Sequence, residues 1–112
     1  MDRLLSDDLW PTVKRLGKKA ARKRAAIAYV TNEEYLSFGE GDELITDASD
    51  AAIASGQTSA RVLSDAVTRG AKVFSLSGLH AKVILLDGTA ILGSANLSAS
   101  SATSLIEAAW LS

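Results

Sequence analysis

The sequence predicts an α/β fold: a mixed β-sheet with flanking helices. Three observations carry that prediction. Between residues 43 and 76, two short β-favouring runs lie on either side of a well-capped helix. Strand, helix, strand in that order argues for a parallel pair joined by a crossover. Later, two apolar runs flank Asp87-Gly88-Thr89, and Asp-Gly between apolar runs is a strong hairpin signal that adds antiparallel pairing. Near the start, a basic segment has the apolar spacing of an amphipathic helix.

That first helix is expected over about residues 8–24, starting at Asp7 or Asp8. Leu9, Val13, Leu16 and Ala20 form its stripe, and Pro11 fits only in its first turn. Lys14, Arg15, Lys18, Lys19, Arg22, Lys23 and Arg24 hold seven of the twelve basic residues. Ala25 to Thr31 reads as a buried strand, and residues 32–42 as a loop with two glycines and four acids. Glu43 to Ala48 is a second strand, and Ser49 to Gly56 a short helical turn. Thr58 or Ser59 caps the next helix, with Val62, Leu63, Ala66 and Val67 on one face. Arg69 closes its last turn and Gly70 takes the stop position. Lys72 to Leu76 is a third strand. The hairpin follows as His80 to Leu86 and Ala90 to Asn96, then a serine-rich stretch of small residues, then a final strand from Leu105 to Leu111. Leu63, Val67, Ile84 and Leu92 are expected in the core.

At 112 residues, 47% apolar and 22% charged, the chain is a single globular domain over residues 1–112. With no helix after the last strand, it reads as half of a larger protein or one partner of an assembly. The net charge of −1 does not by itself mark a nucleic-acid binder or a membrane-surface protein. Cysteine is absent, which removes disulfides, thiol nucleophiles and thiolate metal sites; the single histidine removes a multi-histidine metal site within one chain. The longest apolar runs are far short of a membrane span. The N-terminus MDRLLSDDLW lacks the pattern of a signal peptide, so the cytoplasm is the expected location.

The chemistry concentrates in HAKVILLDGTAILGSANLS, residues 80–98. His80 and Lys82 are two apart on one strand, and Ser94 and Asn96 two apart on the next, so each pair shares a face. All four share one face if His80 pairs with Asn96 and Lys82 with Ser94, which requires a three-residue loop, Asp87-Gly88-Thr89. A plain two-residue turn would put the pairs on opposite faces unless a bulge intervened. Such a patch suits a phosphodiester. Lys, Ser and Asn donors can hold its oxygens, Gly93 lets a ligand approach the backbone, and imidazole can attack phosphorus. A nucleophilic imidazole needs a fixed tautomer, which normally means a carboxylate behind it, and the only acid downstream is Glu107.

The pattern H-x-K-x4-D followed by G-S-x-N resembles the signature of the phospholipase D superfamily; here it is His80, Lys82, Asp87, Gly93, Ser94 and Asn96. The resemblance implies one half of a phospholipase D-like fold. It makes His80 the nucleophile, has Lys82, Ser94 and Asn96 bind phosphate, leaves Asp87 and Gly93 structural, and has Glu107 orient the histidine. Five residues separate Asp87 from Gly93 where the family has six, and this is read as a shortened loop.

Two such motifs complete the family's cycle, one histidine attacking and the other protonating the leaving group. One motif per chain therefore implies a homodimer or a missing second half. The resulting expectation is a metal-independent phosphodiesterase with no cofactor, acting through a phosphohistidine, with nucleic acid as the favoured substrate. Lys14, Arg15, Lys18, Lys19 and Arg22 are candidate contacts to the phosphate backbone. The alternatives are a phospholipid-cleaving or phosphatidyl-transfer domain and a catalytically idle nucleic-acid-binding module.

Overall fold

A computed structural model of the chain describes residues 2–93, 96 and 109–112. In chain order the elements are β1 (Arg3–Leu5), α1 (Leu9–Lys19), β2 (Lys23–Ile27), β3 (Glu43–Thr46), α2 (Asp50–Ala54), α3 (Ala60–Thr68), β4 (Lys72–Ser75), β5 (Lys82–Leu86), β6 (Thr89–Gly93) and β7 (Ala109–Leu111). The strands form one seven-stranded sheet in the order β1-β7-β6-β5-β2-β3-β4. β2, β3 and β4 run parallel, and every other neighbouring pair is antiparallel. The mixed sheet predicted from the crossover and the hairpin is thus present.

The helix starts follow their caps. Ser49 accepts the Ala52 N–H at the head of α2, and Ser59 accepts the Val62 N–H at the head of α3. α3 ends because Gly70 turns to φ +101, where a Cβ would also meet Glu40 at 3.2 Å. Arg69, the last residue before that turn, donates to the Phe38 carbonyl and pairs with Glu33, which fastens the loop ahead of β3.

α1 is shorter than expected. It stops at Lys19, because Ala20 is already extended and the Ala21 and Arg22 N–H groups donate to the Asp87 carboxylate at 3.0 and 2.9 Å. Lys23 and Arg24 therefore lie on β2, which begins two residues before the predicted strand. They fit there because Lys23 meets the buried Asp42 and Arg24 meets Glu43.

One core joins both long helices to the same side of the sheet. Leu9, Trp10 and Val13 of α1 and Val62, Leu63 and Ala66 of α3 pack with Ala25, Ile27, Leu44, Ile84, Leu86 and Ile91. Alternation turns the intervening residues outward. The registers align Leu4, Trp110, Leu92, Val83, Ala26, Ile45 and Phe74 in a single apolar row across all seven strands. Two expected core residues are corrected here: Leu92 is 46% exposed in that outer row, and Val67 is 55% exposed, one position round the helix from buried Ala66.

The hairpin register also differs from expectation. Leu86 pairs with Thr89, Leu85 with Ala90, Ile84 with Ile91 and Val83 with Leu92, so the turn is the two residues Asp87-Gly88. Asp87 sits at φ 53, a left-handed position that Asp tolerates better than most residues. Asp87→Ala would lose that tolerance and both N–H contacts to the α1–β2 connection. Because this corner is solvent-exposed, water replaces part of the loss, and we expect a destabilisation of about 1–2 kcal/mol in urea unfolding.

Candidate active site

β2, β3 and β4 run parallel, and their C-terminal ends define one end of the sheet. β5 is antiparallel to β2, so its N-terminal end lies at that same end, and His80 and Lys82 lie there. The β2–β5 contact continues beyond the strands, with the Ala28 N–H donating to the Ala81 carbonyl at 2.9 Å. This fixes the backbone between His80 and Lys82. His80 is exposed and Lys82 half-buried. Lys82 shares the inward face of β5 with Ile84 and Leu86, and it borders a small cleft with Leu9 and Trp10 of α1 and Gly93 of β6.

Asn96 reaches the same end. Its Oδ1 accepts the Tyr29 N–H at 3.3 Å, one residue beyond the Ala28–Ala81 contact. The two-residue turn thus does not prevent Asn96 from lying beside the backbone next to His80. Among the described residues the paired ladder runs as far as Val83–Leu92; the predicted Lys82–Ser94 pair involves Ser94 and lies outside them. Gly93 is exposed, ends β6 and faces Ala109 across to β7. Ser94 and Glu107, and with them most of the predicted final strand, lie outside the described residues.

Asp87 is at the opposite end of β5. Seven extended residues from His80 to Asp87 span about 23 Å, so its carboxylate serves the α1–β2 connection and not the histidine. The basic residues are also distant. α1 has its start near Lys82 and its end near Asp87, and Lys14, Arg15, Lys18 and Lys19 are exposed along its second half. Arg22 follows, within 3.3 Å of Glu43. The structure does not gather these cations round His80; it spreads them along the molecule toward the hairpin turn. Among the described residues no cluster of His, Asp and Glu could hold a metal ion.

One residue of this end escaped the sequence reading. Asp47, 7% exposed, follows β3 and accepts N–H groups from Ser49 at 3.0 Å and from Gly78 at 3.1 Å. Hydrogen bonds from the Ser49 side chain, the Ser49 backbone and the Gly78 backbone hold its carboxyl below the ordinary value of 3.8. A short Asp-Ala-Ser turn after a strand is common, so the sequence carries no signal for the contact to Gly78, 31 residues on.

No protein family and no curated protein matches the sequence. Solved structures do match the fold. NucT from Helicobacter pylori superposes with a TM-score of 0.75 at 16% identity, over 99% of this chain and 84% of that one. Nuc from Salmonella typhimurium, a phospholipase D family member, gives 0.61 at 16% identity, over 99% and 82%. A polyphosphate kinase from Porphyromonas gingivalis gives 0.64 at 11% identity, over 99% of this chain but 21% of the kinase. The chain therefore has the α/β fold of one phospholipase D-like half, as its motif implied.

Proposed function

We propose that the protein is a phosphodiesterase that works without metal through a phosphohistidine at His80, with nucleic acid as its substrate. The observation that carries this is the meeting of His80, Lys82 and Asn96 at one end of a phospholipase D-like sheet. Fold alone would not suffice, since a polyphosphate kinase shares it.

In this mechanism the neutral imidazole of His80 attacks phosphorus, a P–N bond forms, and the P–O bond to the leaving group breaks. Lys82, the amide nitrogen of Asn96 and the hydroxyl of Ser94 donate to the non-bridging oxygens, where charge builds in the transition state. Glu107 holds the imidazole in the required tautomer. A second histidine gives a proton to the departing oxygen and then activates the water that cleaves the P–N bond. Each chain holds one histidine, so the second comes from another copy, with both His80 side chains facing across a twofold axis. The cations of α1 suit a polyanion that extends past the site. The helix has 11 residues and rises about 1.5 Å per residue, so its far end lies about 16 Å from its start beside the site, a span of several nucleotides.

The test is hydrolysis of an aromatic phosphodiester, a single-stranded DNA and a phospholipid in excess EDTA, with the mass of the active species followed by light scattering. Turnover of the diester and the DNA by a dimer is expected. Full activity from a monomer would remove the shared site, and turnover of phospholipid alone would replace the substrate.

A further inference from the structure

His80 sits in a connection, not in the sheet ladder, yet a nucleophile must be held to within a fraction of an ångström of its line of attack. The link from β4 to β5 is Leu76-Ser77-Gly78-Leu79-His80-Ala81, and it is fastened at both ends to the residues that close β3. On entry, the Leu76 N–H donates to the Thr46 carbonyl at 2.9 Å, and the Leu79 N–H closes a tight turn on the Leu76 carbonyl. Within that turn Gly78 adopts φ +80 and points its N–H at the Asp47 carboxylate. On exit, the Ala81 carbonyl accepts the Ala28 N–H, and the Ala28 carbonyl accepts the Asp47 N–H at 3.0 Å and the Thr46 hydroxyl at 3.0 Å.

The backbone on either side of His80 therefore leads back to one residue. Two positions before His80 the tie is the carboxylate of Asp47; one position after, it is the backbone of Asp47 through Ala28. We propose that Asp47 is the positioning residue for His80, its side chain locking the Gly78 turn so that the imidazole is presented to the phosphate. This rests on His80 being the nucleophile. The carboxylate is suited to the task because it accepts two N–H groups at once and is nearly buried, which strengthens charge-assisted hydrogen bonds. Its lowered pKa keeps it ionised at neutral pH.

The informative variant is Asp47→Ser. A serine oxygen can still accept the Ser49 N–H in the local turn, but it is too short to reach Gly78, so the two contacts are separated. Three readouts decide. First, Gly78 amide exchange should be slow in the wild type and at least about tenfold faster in the variant, with the His80 backbone more mobile and the melting temperature showing a folded protein. Second, kcat should fall about 10- to 100-fold with KM within about threefold, because the groups that bind phosphate are untouched. Third, in a His80→Gly background rescued by free imidazole, which there replaces the histidines of both copies, Asp47→Ser should have no further effect, since the added imidazole is not held by the loop.

An unprotected Gly78 amide in the wild type would overturn the proposal. So would unchanged kcat despite a loosened loop, or an equal loss in the imidazole-rescued background, which would mark a general structural role. If the wild type has no turnover, the self-paired active site fails by itself, and the exchange and mobility data still decide whether Asp47 orders this loop.

Discussion

His80→Ala is expected to abolish phosphodiester turnover, by about a thousandfold or more, and to leave the melting temperature unchanged. The two halves of this expectation have separate causes. Activity is lost because the proposed phosphohistidine can form only at this residue: the chain has no second histidine. The fold is kept because His80 is exposed and stands outside the paired strands. In a dimer with two such sites facing each other, the variant lacks both the nucleophile and the proton donor. A mixed dimer of wild type and variant should therefore be inactive as well, and turnover by that mixed species would show that a single histidine suffices. Lys82→Ala makes a useful contrast. In the proposed mechanism Lys82 would donate to phosphate in both the ground and the transition state, so affinity and rate should weaken together. Wild-type turnover by His80→Ala would end the nucleophile assignment.

Elements are legible in the sequence where local chemistry decides the outcome. Ser49 and Ser59 begin their helices because a short side-chain oxygen satisfies an early N–H group, and Gly70 ends one because its φ excludes most other residues. The Asp87-Gly88 hairpin and the parallel β3–β4 pair were visible for the same reason. His80, Lys82 and Asn96 stand out through motif spacing alone, and the structure brings them to one end of the sheet.

Elements are not legible in the sequence where a distant partner decides. β1 is three residues with only Leu5 buried, and it exists because β7, at the other end of the chain, supplies its hydrogen bonds. The end of α1 is set by Asp87, 66 residues beyond Ala21, so a continuous basic run looked like a continuous helix. Leu92 was expected inside because it is apolar, but this sheet is apolar on both faces, and hydrophobicity then no longer tells in from out. The register of the hairpin depended on whether the turn held two residues or three; Asp-Gly favours two, and three follows only from asking the four motif side chains to share a face. Asp47 was missed for the same reason as the end of α1: its partner Gly78 lies on another connection.

The largest expected loss of stability comes from the end of the sheet opposite His80. Asp42 is 5% exposed at the entrance to β3, and its carboxylate accepts the Lys23 N–H at 2.8 Å and the Gly39 N–H at 2.9 Å. The Lys23 ammonium, itself only 17% exposed along its side chain, lies 3.6 Å away. Asp42→Ala would remove the only carboxylate that the described residues place against this ammonium and would strip two N–H groups of their acceptor. Removing one member of a buried pair costs about 3–5 kcal/mol, because the other is left charged in a poorly solvated place. For a domain of this size that corresponds to a fall in melting temperature of roughly 15–25 °C. Lys23→Met should cost much less: the carboxylate keeps both N–H bonds, and an apolar chain of similar length fills the space of the lysine stem. The asymmetry between the two variants is the discriminating result, read by urea unfolding followed through tryptophan fluorescence. Equal losses would mean that the ion pair, and not the buried carboxylate with its N–H bonds, supports this corner. Neither variant should change turnover per folded molecule, because β2 and β3 separate Asp42 from His80 by their full length.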